Sequence, residues 1–434
     1  VIEVALVRPG PIVGNAVHPY LERRQGKTAV SYPSEVLKEA LARTLGVVIF
    51  QEQVMQVAIL AAGFTPGEAD QLRRAMAAWK RKGGLEKYRD QLINGMTERG
   101  YDIGFAQSIF SQVKGFAEYG FPESHAASFA LLVYASSWLK CHHPAEFLAG
   151  MLNSYPLGFY SEGQLIQDAI RHGVRVRPPD VLHSSYDSTL EDLDTQPAVR
   201  LGLRVISGMR EPVAQRIVAA RQEAPFLSAE DLCLRARLEQ PVMKLLAGAD
   251  ALRSLSGHRR QQAWDAAGLG LPPGLLQDAP VQEDFLELDA APEAQEVVHD
   301  YETVGFTLRT HPLALLRPEL DALKLRLLKS SQLAPVPNGR TVRTCGIVTL
   351  RQQPETAKGT TFVSLEDEDG EIQVICWPSV RQAQEQVLLK SRLLAVEGTW
   401  QARDGVTALV AGKLRDLTPM LGRLAGSAVS RDFR

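Results

Sequence analysis

The chain has 434 residues, of which 45% are hydrophobic and 23% charged, and its formal net charge is -2. This length predicts about two to four domains, and the composition is that of an ordinary soluble globular protein. The near-neutral charge excludes a large, uniformly basic nucleic-acid surface but allows local basic patches at Arg73–Lys82, Arg171–Arg177 and Arg253–Arg260.

Features that the sequence lacks indicate its cellular compartment. No apolar run reaches the roughly 18 residues of a membrane span, and no secretory signal stands at the start. Four cysteines lie far apart without a CxxC pair, which favours a reducing cytosol and no zinc site. The chain begins with Val1 rather than Met, so we expect a cytoplasmic fragment of a longer protein, with no membrane partner.

The first informative stretch is Gly46–Lys82. An apolar run leads into a helix whose apolar residues recur at helical spacing, and Gly63 ends that helix. Thr65 then has the features of an N-cap, with proline at the next position and Glu68 three residues later. The pattern therefore predicts two consecutive helices.

The second of these helices carries paired cations. Arg73 and Lys80 lie seven residues apart, as do Arg74 and Arg81, so each pair shares a face. Small alanines follow the arginines, and adjacent guanidinium groups suit bidentate capture of phosphate oxygens. Taken alone, the pattern is more typical of a solvated basic helix end.

Two amphipathic helices are predicted at Lys87–Gly100 and Ile103–Gly115, followed by an apolar helix at Ser124–Cys141. Because this last helix is apolar on nearly every face, we expect it to be buried. A glycine-containing loop precedes it, and the free N–H groups of a helix start favour an anion. Ser124 is therefore either a plain N-cap or an anion contact, and His125 is either a core-edge histidine or part of the same site.

A tight glycine turn at Gly208 precedes the predicted helix Pro212–Arg221. This arrangement resembles a helix-hairpin-helix, which grips DNA phosphates through backbone N–H groups. Arg210 and Arg216 would add charge, and a degenerate second copy is predicted at Leu245–Leu255. A short helical hairpin without a DNA role is the alternative.

A linker rich in proline, glycine and aspartate follows at Gly268–Pro292. Within it, Gln282, Asp284, Phe285 and Leu286 belong to a pentapeptide that resembles those by which bacterial proteins dock on the beta sliding clamp. The alternative is that Phe285 and Leu286 pack on a neighbouring domain.

The sequence pattern of the C-terminal region predicts five strands with one helix between the third and the fourth, as in an OB-fold. The predicted strands are Arg340–Leu350, Thr360–Leu365, Ile372–Cys376, Leu393–Trp400 and Val406–Lys413, and the helix is Ser379–Leu388. Such barrels bind single strands through basic grooves and aromatic platforms. The candidates are Lys358, Phe362, Trp377, Trp400 and Arg403, although aromatic residues in small barrels more often belong to the core.

Two clusters invite a metal assignment that we reject. His142 and His143 point in different directions on a helix, whereas zinc needs three or four converging ligands. The acidic run Glu366–Asp369 lies at a hairpin turn, so its side chains are expected to point to solvent. No metal site is predicted in this chain.

Several long segments together resemble one protein family. They are ALVRPGP (Ala5–Pro11), FQEQVMQ and GEADQLRRAM within Phe50–Met76, GFAEYGFPESHAASFALLVYASSWLK (Gly115–Lys140), HPAEFLAGMLNS (His143–Ser154) and FVSLEDEDGEIQV (Phe362–Val374). In this order they resemble the C-family bacterial DNA polymerase III alpha subunits. The stretches Trp79–Arg89 and Leu152–Val181 resemble the error-prone, mutasome-associated (ImuC-type) branch, and the end of the chain soon after the barrel is expected of that branch.

The resemblance implies a multidomain fold: a mainly α fingers domain, an α helix-hairpin-helix domain and a β-barrel OB-fold. The boundaries we predict are 1–185 for part of the fingers, 186–310 for the hairpin domain with its linker at 268–292, 311–338 for a connector, 339–418 for the OB-fold and 419–434 for a tail.

The resemblance also implies roles for individual residues. Arg73, Arg74, Ser124 and His125 would contact the incoming dNTP, while Lys80, Arg81, the hairpin and the barrel would contact primer-template DNA. The Mg²⁺ ions of the full polymerase would sit on palm carboxylates upstream of the fingers, so this fragment should be inactive alone. The partners implied are mutasome accessory proteins of the ImuA and ImuB types and the sliding clamp. The alternatives are a non-catalytic DNA-binding scaffold that recruits repair partners and, more remotely, an RNA-binding OB protein.

Overall fold

The computed structural model of the chain describes residues 1–6, 17–32, 34–82, 86–117, 121–158, 160–192, 197–269, 286–354, 357, 359–403, 405–427 and 430–433. It consists of two compact units. The first comprises Val1–Ser137 with Gln353–Gly359, and the second comprises Trp138–Gln352 with Thr360–Phe433. No helix in these described ranges is long and apolar enough to cross a membrane.

The first unit is helical. Its helices are α1 (Ile2–Leu6), α2 (Val17–Arg24), α3 (Glu35–Leu41), α4 (Gln51–Ala62), α5 (Pro66–Lys82), α6 (Arg89–Glu98), α7 (Ile103–Ala117) and the start of α8 (Glu123–His142). The apolar faces of α3 to α7 form one core, centred on Leu37, Val57, Leu72, Leu92 and Ile109. The helices predicted from the sequence in this region are confirmed.

The turn between α4 and α5 follows its sequence signals. Gly63 ends α4 in the left-handed conformation at φ 72°, which glycine adopts without a steric penalty. The N–H of Thr65 donates to the Glu68 carboxylate at 2.8 Å, and the N–H of Glu68 donates to Thr65 Oγ1 at 3.3 Å. The predicted capping box is therefore confirmed, and it fixes where α5 begins.

Gln53 is a buried polar centre of the first unit. Its Oε1 accepts the N–H groups of Ile49 and Phe50 at 2.9 and 3.0 Å. Its Nε2 donates to the carbonyl of Ala40 at 3.1 Å and to Thr44 Oγ1 at 2.7 Å. Because every polar atom of this fully buried side chain has a partner, these hydrogen bonds offset the cost of its desolvation, and Gln53 ties α3 to the start of α4.

The expectation that the apolar helix α8 is buried is wrong. Ala126 in its first turn is fully buried, but Leu131 and Tyr134 are each 75% exposed and Leu132 is 60% exposed. An apolar sequence indicates that a helix can be buried, whereas burial itself needs a packing partner. Within the described part of the structure, other residues pack on the first turn of this helix, whereas the large apolar side chains in its middle are left exposed.

The second unit begins with helices around a small sheet. Its helical part contains α9 (Pro144–Asn153), α10 (Glu162–Arg171), α11 (Glu211–Glu223), α12 (Ala229–Arg235), α13 (Gln240–Gly248), α14 (Arg253–Ser256), α15 (Arg259–Gly268), α16 (Glu293–Thr303), α17 (Pro312–Ala322) and α18 (Ser330–Leu333). The strands β1 (Arg175–Arg177), β2 (Thr189–Glu191) and β3 (Ala198–Arg200) form a sheet in the order β1-β3-β2. One core runs from Ala145 to Phe306, across the boundary predicted at residue 185.

A network of paired charges fixes α16 and the loop after it to the hairpin region. Arg259 is 5% exposed and pairs with Asp300 and, at 3.1 Å, with Glu296. Arg309 pairs with Asp250 at 2.6 Å and also contacts Glu296 and Asp300. Buried charges are tolerated when they are paired in this way.

The same network corrects the prediction of basic patches. Arg259 is buried, Arg253 pairs with Asp250 at 3.0 Å, and Arg260 donates to the Asp289 carbonyl at 3.0 Å. In the other predicted patch, Arg177 pairs with Glu191 at 2.5 Å. Counting cations along the sequence missed the acidic partners, Asp250 three residues before Arg253 and Glu191 fourteen residues after Arg177.

The C-terminal region forms the predicted five-stranded barrel. Its strands are β4 (Thr341–Gln352), β5 (Thr361–Glu366), β6 (Glu371–Cys376), β7 (Leu393–Arg403) and β8 (Val406–Asp416), with helices α19 (Pro378–Ala383) and α20 (Glu385–Lys390) between β6 and β7. The order β5-β6-β8-β7-β4 closes through a β4–β5 pairing, with β6 and β8 parallel. The short α21 (Leu424–Ser427) and the edge strand β9 (Arg431–Phe433) follow.

The expectation that the acidic run at the β5–β6 turn points to solvent is wrong for Glu366, Asp367 and Glu368, whereas Asp369 is exposed. Glu368 receives two hydrogen bonds from Arg317, at 2.6 and 2.8 Å, and a further contact from Lys329 at 3.0 Å. Burial alone would raise the pKa of Glu368, but the hydrogen bonds from Arg317 and Lys329 lower it to about 2. The turn is thus held to α17 by a bidentate ion pair.

The neighbouring acids strengthen this attachment. Asp367 is 2% exposed and accepts the N–H and the hydroxyl of Ser330, both at 2.6 Å. Glu366 lies 3.4 Å from His311. The run was misread because its cationic and hydroxyl partners lie in the connector 311–338, about 40 to 60 residues upstream of it. These acids fix the connector to the barrel.

We predict that replacing Gln53 with Met lowers the free energy of unfolding by about 2 to 4 kcal/mol, because it leaves two buried N–H groups without an acceptor. Gln56 lies on the same helix and is exposed, so Gln56→Met is the matched control and should change stability little. Chemical unfolding of both variants measures the difference. Equal stability of the two would contradict the role given to Gln53.

The ion pair of Glu368 makes the stability of the fold depend on acidic pH. The pKa of Glu368 is about 2 in the fold and near 4.5 when unpaired. Its ionised form therefore contributes stability above pH 4.5, and this contribution, on the order of 3 kcal/mol, is lost as the pH falls toward 2.

Urea unfolding at about pH 5 and about pH 3 should show a smaller loss for Glu368→Gln than for the parent protein. Glu385→Gln, which removes an exposed carboxylate 3.8 Å from Arg381, is the control. A pH dependence identical in the parent and in Glu368→Gln would refute the assignment.

Candidate nucleic-acid interface

The two arginines predicted to bind phosphate lie side by side on α5 and share one acid. Asp70 Oδ1 accepts hydrogen bonds from Nε and Nη2 of Arg73 at 3.0 and 2.8 Å. Asp70 Oδ2 lies 2.8 Å from Nε of Arg74. The side chain of Arg73 is 35% exposed and that of Arg74 is 75% exposed. Both guanidinium groups are therefore paired but open to solvent.

Lys80 and Arg81 belong to the last turns of α5. Their backbone continues the helix, so they lie seven residues along it from Arg73 and Arg74. Their side chains lie outside the described part of the structure, and their contact with DNA stays a prediction.

The start of α8 is occupied by protein groups. The helix begins at Glu123, so Ser124 lies inside its first turn and is not the N-cap. The N–H of Glu123 donates to the Glu52 carboxylate at 2.8 Å, and Arg43 pairs with the Glu123 side chain. A carboxylate of the chain thus takes the position that favours an anion at a helix start.

His125 lies in a row of aromatic rings. Its ring centroid is 5.0 Å from that of Phe121 in an edge contact and 4.3 Å from that of Phe129. Both His125 and Ser124 are exposed, so a ligand can reach them. Together they form an exposed polar and aromatic surface at the start of α8. Their contact with a nucleotide stays a prediction.

The glycine turn before α11 has the backbone that the hairpin requires. Gly208 adopts φ +86°, a conformation that side chains disfavour. Met209 is buried beneath the turn, whereas Gly208 and Arg210 are exposed. Among the described residues, the backbone N–H groups of Gly208 and Arg210 donate no hydrogen bond. Two amides therefore face solvent at the position where such a turn receives a phosphate.

The two arginines of the hairpin differ in their surroundings. Arg216 donates to the carbonyls of Ala236 and Arg237, at 3.1 and 3.4 Å, so it holds the end of α12 in place. Arg210, at the N-cap position of α11, lines a cavity of about 190 Å³ together with Pro212, Val213, Arg216, Glu239 and Val242. Arg210 is thus better placed than Arg216 to meet a phosphate.

The prediction that Trp400 is a base platform is wrong. Its side chain is 5% exposed and belongs to the barrel core. A ring that fills a small barrel cannot stack on a base unless the barrel opens. Lys358 and the side chain of Arg403 lie outside the described residues, so their contact with DNA stays a prediction.

The outer face of β5 and β6 is the better platform. Phe362 and Ile375 are register partners, and both are only partly buried. Beside them Ser364 donates to Gln373 at 3.1 Å, and Trp377, directly after β6, is 50% exposed. The sequence analysis named the two aromatic residues but missed Ile375 and Gln373. Successive side chains of a strand point to opposite faces, so the neighbours of buried Val374 could have been placed on the outer face.

The clamp-binding pentapeptide falls largely outside the described residues, which include Leu286 but not Gln282, Asp284 or Phe285. Leu286 is 51% exposed. Clamp binding therefore stays a prediction.

The described residues offer no group of three or more His, Cys, Asp or Glu side chains that could hold a metal ion. The acidic run Glu366–Asp369 is engaged by Arg317, Lys329 and Ser330. Its carboxylates do not fit the Mg²⁺ pair of a polymerase, and we derive no step through a metal from these residues.

Three segments match known families. Residues 1–100 match the bacterial DNA polymerase III alpha subunit finger domain, residues 173–262 a helix-hairpin-helix motif, and residues 342–417 an OB-fold nucleic acid binding domain. A solved structure, asparaginyl-tRNA synthetase from Pyrococcus horikoshii, is 20% identical over 21% of this chain and 23% of its own, with a TM-score of 0.19. That similarity is too low to support an argument.

The whole chain is also similar to curated proteins named error-prone DNA polymerase. It is 54% identical to those of Bordetella bronchiseptica and Alkalilimnicola ehrlichii, and 52% identical to that of Methylococcus capsulatus. In each case the match covers 100% of this chain but 42 to 43% of the relative. The chain thus spans about two fifths of the length of these relatives.

We predict that Trp377→Ala weakens binding of single-stranded DNA by about 1 to 3 kcal/mol, because it removes one stacking surface. Trp264 is 56% exposed on α15, so Trp264→Ala is the matched control and should leave this affinity unchanged. Fluorescence anisotropy with a labelled oligothymidine measures both. Equal losses in the two variants would argue against the β5–β6 platform.

Proposed function

From the homology of the whole chain to error-prone DNA polymerases, we propose that it is the nucleotide- and DNA-handling portion of a DNA-dependent DNA polymerase acting in damage-induced translesion synthesis. The observation that carries the proposal is the pair of solvent-open guanidinium groups on α5, within the segment that matches the finger domain. Adjacent guanidinium groups bind phosphate oxygens in a bidentate manner.

In this proposal the fingers supply charge and position. Arg73 and Arg74 bind the triphosphate of the incoming nucleotide, while Gln53 and the capping box of Thr65 and Glu68 hold α4 and α5 in place. Ser124 and His125, exposed at the start of α8, contact the nucleotide or the nascent base pair. Holding the phosphates fixed before the reaction lowers the entropic part of the activation barrier.

The second unit would hold the nucleic acid. The exposed amides of Gly208 and Arg210 grip a duplex phosphate without reading sequence. Phe362 and Trp377 on the barrel stack on single-stranded template. Sequence-independent contacts of both kinds suit an enzyme that copies any template.

Catalysis would depend on carboxylates outside the described residues, because these offer no fitting metal group. Mg²⁺ would supply the activation of the 3′-hydroxyl in the palm of the full polymerase. We propose that this chain is inactive on its own. The mutasome accessory proteins and the sliding clamp are proposed partners of the full protein.

A non-catalytic DNA-binding scaffold is the second candidate. The observation in its favour is that Asp70 already pairs with both Arg73 and Arg74. A scaffold would keep DNA binding through the hairpin and the barrel but would have no affinity for dNTPs.

The test is steady-state primer extension by the intact polymerase that carries this chain. Changing Arg73 and Arg74 to Ala together should raise the KM for dNTP and lower kcat/KM by about 10- to 100-fold, since charged hydrogen bonds to phosphate are lost. Arg89→Ala, at an exposed arginine of the same unit, should have little effect. An unchanged KM in the double variant would favour the scaffold.

A further inference from the structure

One carboxylate on α5 holds both candidate phosphate-binding arginines. Asp70 lies three residues before Arg73 and four before Arg74, so all three side chains project from one helical surface. The carboxylate takes part in three contacts of 2.8 to 3.0 Å, two with Arg73 and one with Arg74. Both carboxylate oxygens are used, as the oxygens of a phosphate would be.

The pairing affects the charge of the surface more than the stability of the fold. Exposed ion pairs on one helix contribute little to stability, and α5 already has the capping box of Thr65 and Glu68. However, a single acid cancels one of the two positive charges that face an arriving anion. The hydrogen bonds from Arg73 also keep the pKa of Asp70 low, so the acid stays ionised near neutral pH.

We propose that Asp70 is a positioning and specificity-determining residue: it keeps Arg73 and Arg74 oriented while no ligand is bound, and competes with phosphate for them. The inference rests on the proposed function of these two arginines.

A preference among ligands follows from this competition. A ligand with one phosphate gains little by displacing a carboxylate that already makes three contacts. A ligand with a chain of phosphates brings several charges and can bind both guanidinium groups at once. Asp70 therefore selects polyphosphates, the tail of a nucleoside triphosphate among them, against monophosphates. The partly exposed acid can turn away from the arginines, since its side chain is 32% exposed.

The inference is tested by titrating the chain with inorganic tripolyphosphate and, separately, with inorganic phosphate in a calorimeter at low salt. Asp70→Asn should bind tripolyphosphate about 3- to 10-fold more tightly, because a competing negative charge is removed. Phosphate should also bind more tightly, so that binding too weak to detect in the parent protein becomes measurable in Asp70→Asn. Asp70→Glu, which restores the carboxylate, should return both values toward those of the parent protein.

The matched control is Glu35→Gln. Glu35 pairs with Lys38 at 3.2 Å, also three residues along a helix, so this change alters net charge to the same extent and removes one helical ion pair away from the arginines. It should leave both affinities unchanged. Asp70→Ala, which keeps helix propensity high, repeats the test should the amide disturb α5.

The double change of Arg73 and Arg74 to Ala separates two failures. If it leaves tripolyphosphate binding intact, the arginines are not the phosphate site and the proposed function falls. If it abolishes binding while Asp70→Asn binds tripolyphosphate no more tightly than the parent protein, only the role of Asp70 is overturned. Tighter binding by Asp70→Asn with an unchanged Glu35→Gln control supports the inference.

Discussion

The pairing of charges is the constraint on which this structure depends. Acids from distant parts of the sequence meet several of its arginines, as Arg259 meets Asp300 and Arg317 meets Glu368. A half-buried or buried charge is stable in a fold only if it is paired. Arginines that are buried in such pairs cannot meet a ligand, so candidate contacts lie among the exposed cations.

Three accessible features remain where a nucleotide or nucleic acid would be expected. They are the guanidinium groups on α5, the exposed amides at Gly208 and Arg210, and the aromatic face of β5 and β6 with Trp377. Each offers a sequence-independent contact: charge for phosphates, amides for a backbone, and flat surfaces for bases. Contacts of these kinds do not need a strongly basic surface. They therefore agree both with the near-neutral net charge of the chain and with its matches to nucleic-acid-binding domains.

Local signals made much of the fold predictable. The capping box at Thr65, the glycine that ends α4 and the strand alternation of the barrel all act within a few residues, and the structure follows them. The predictions that are wrong required distant partners. Burial of α8 needs another surface to cover it, the acids of the β5–β6 turn are held from the connector, and Trp400 turns into the barrel because strand register, not residue type, decides the face. Asp70 stands one turn before the arginines in the sequence, yet a pattern of cations alone gave no reason to pair it with both.

The central claim is that the paired guanidinium groups on α5 receive the phosphates of an incoming nucleotide. The most direct measurement is a structure of the polymerase that carries this chain, bound to primer-template and a non-hydrolysable nucleotide. The account predicts phosphate oxygens within hydrogen-bonding distance of Arg73 and Arg74, with the carboxylate of Asp70 turned away from them. A bound nucleotide whose phosphates lie elsewhere, with the ion pairs of Asp70 intact, would contradict it.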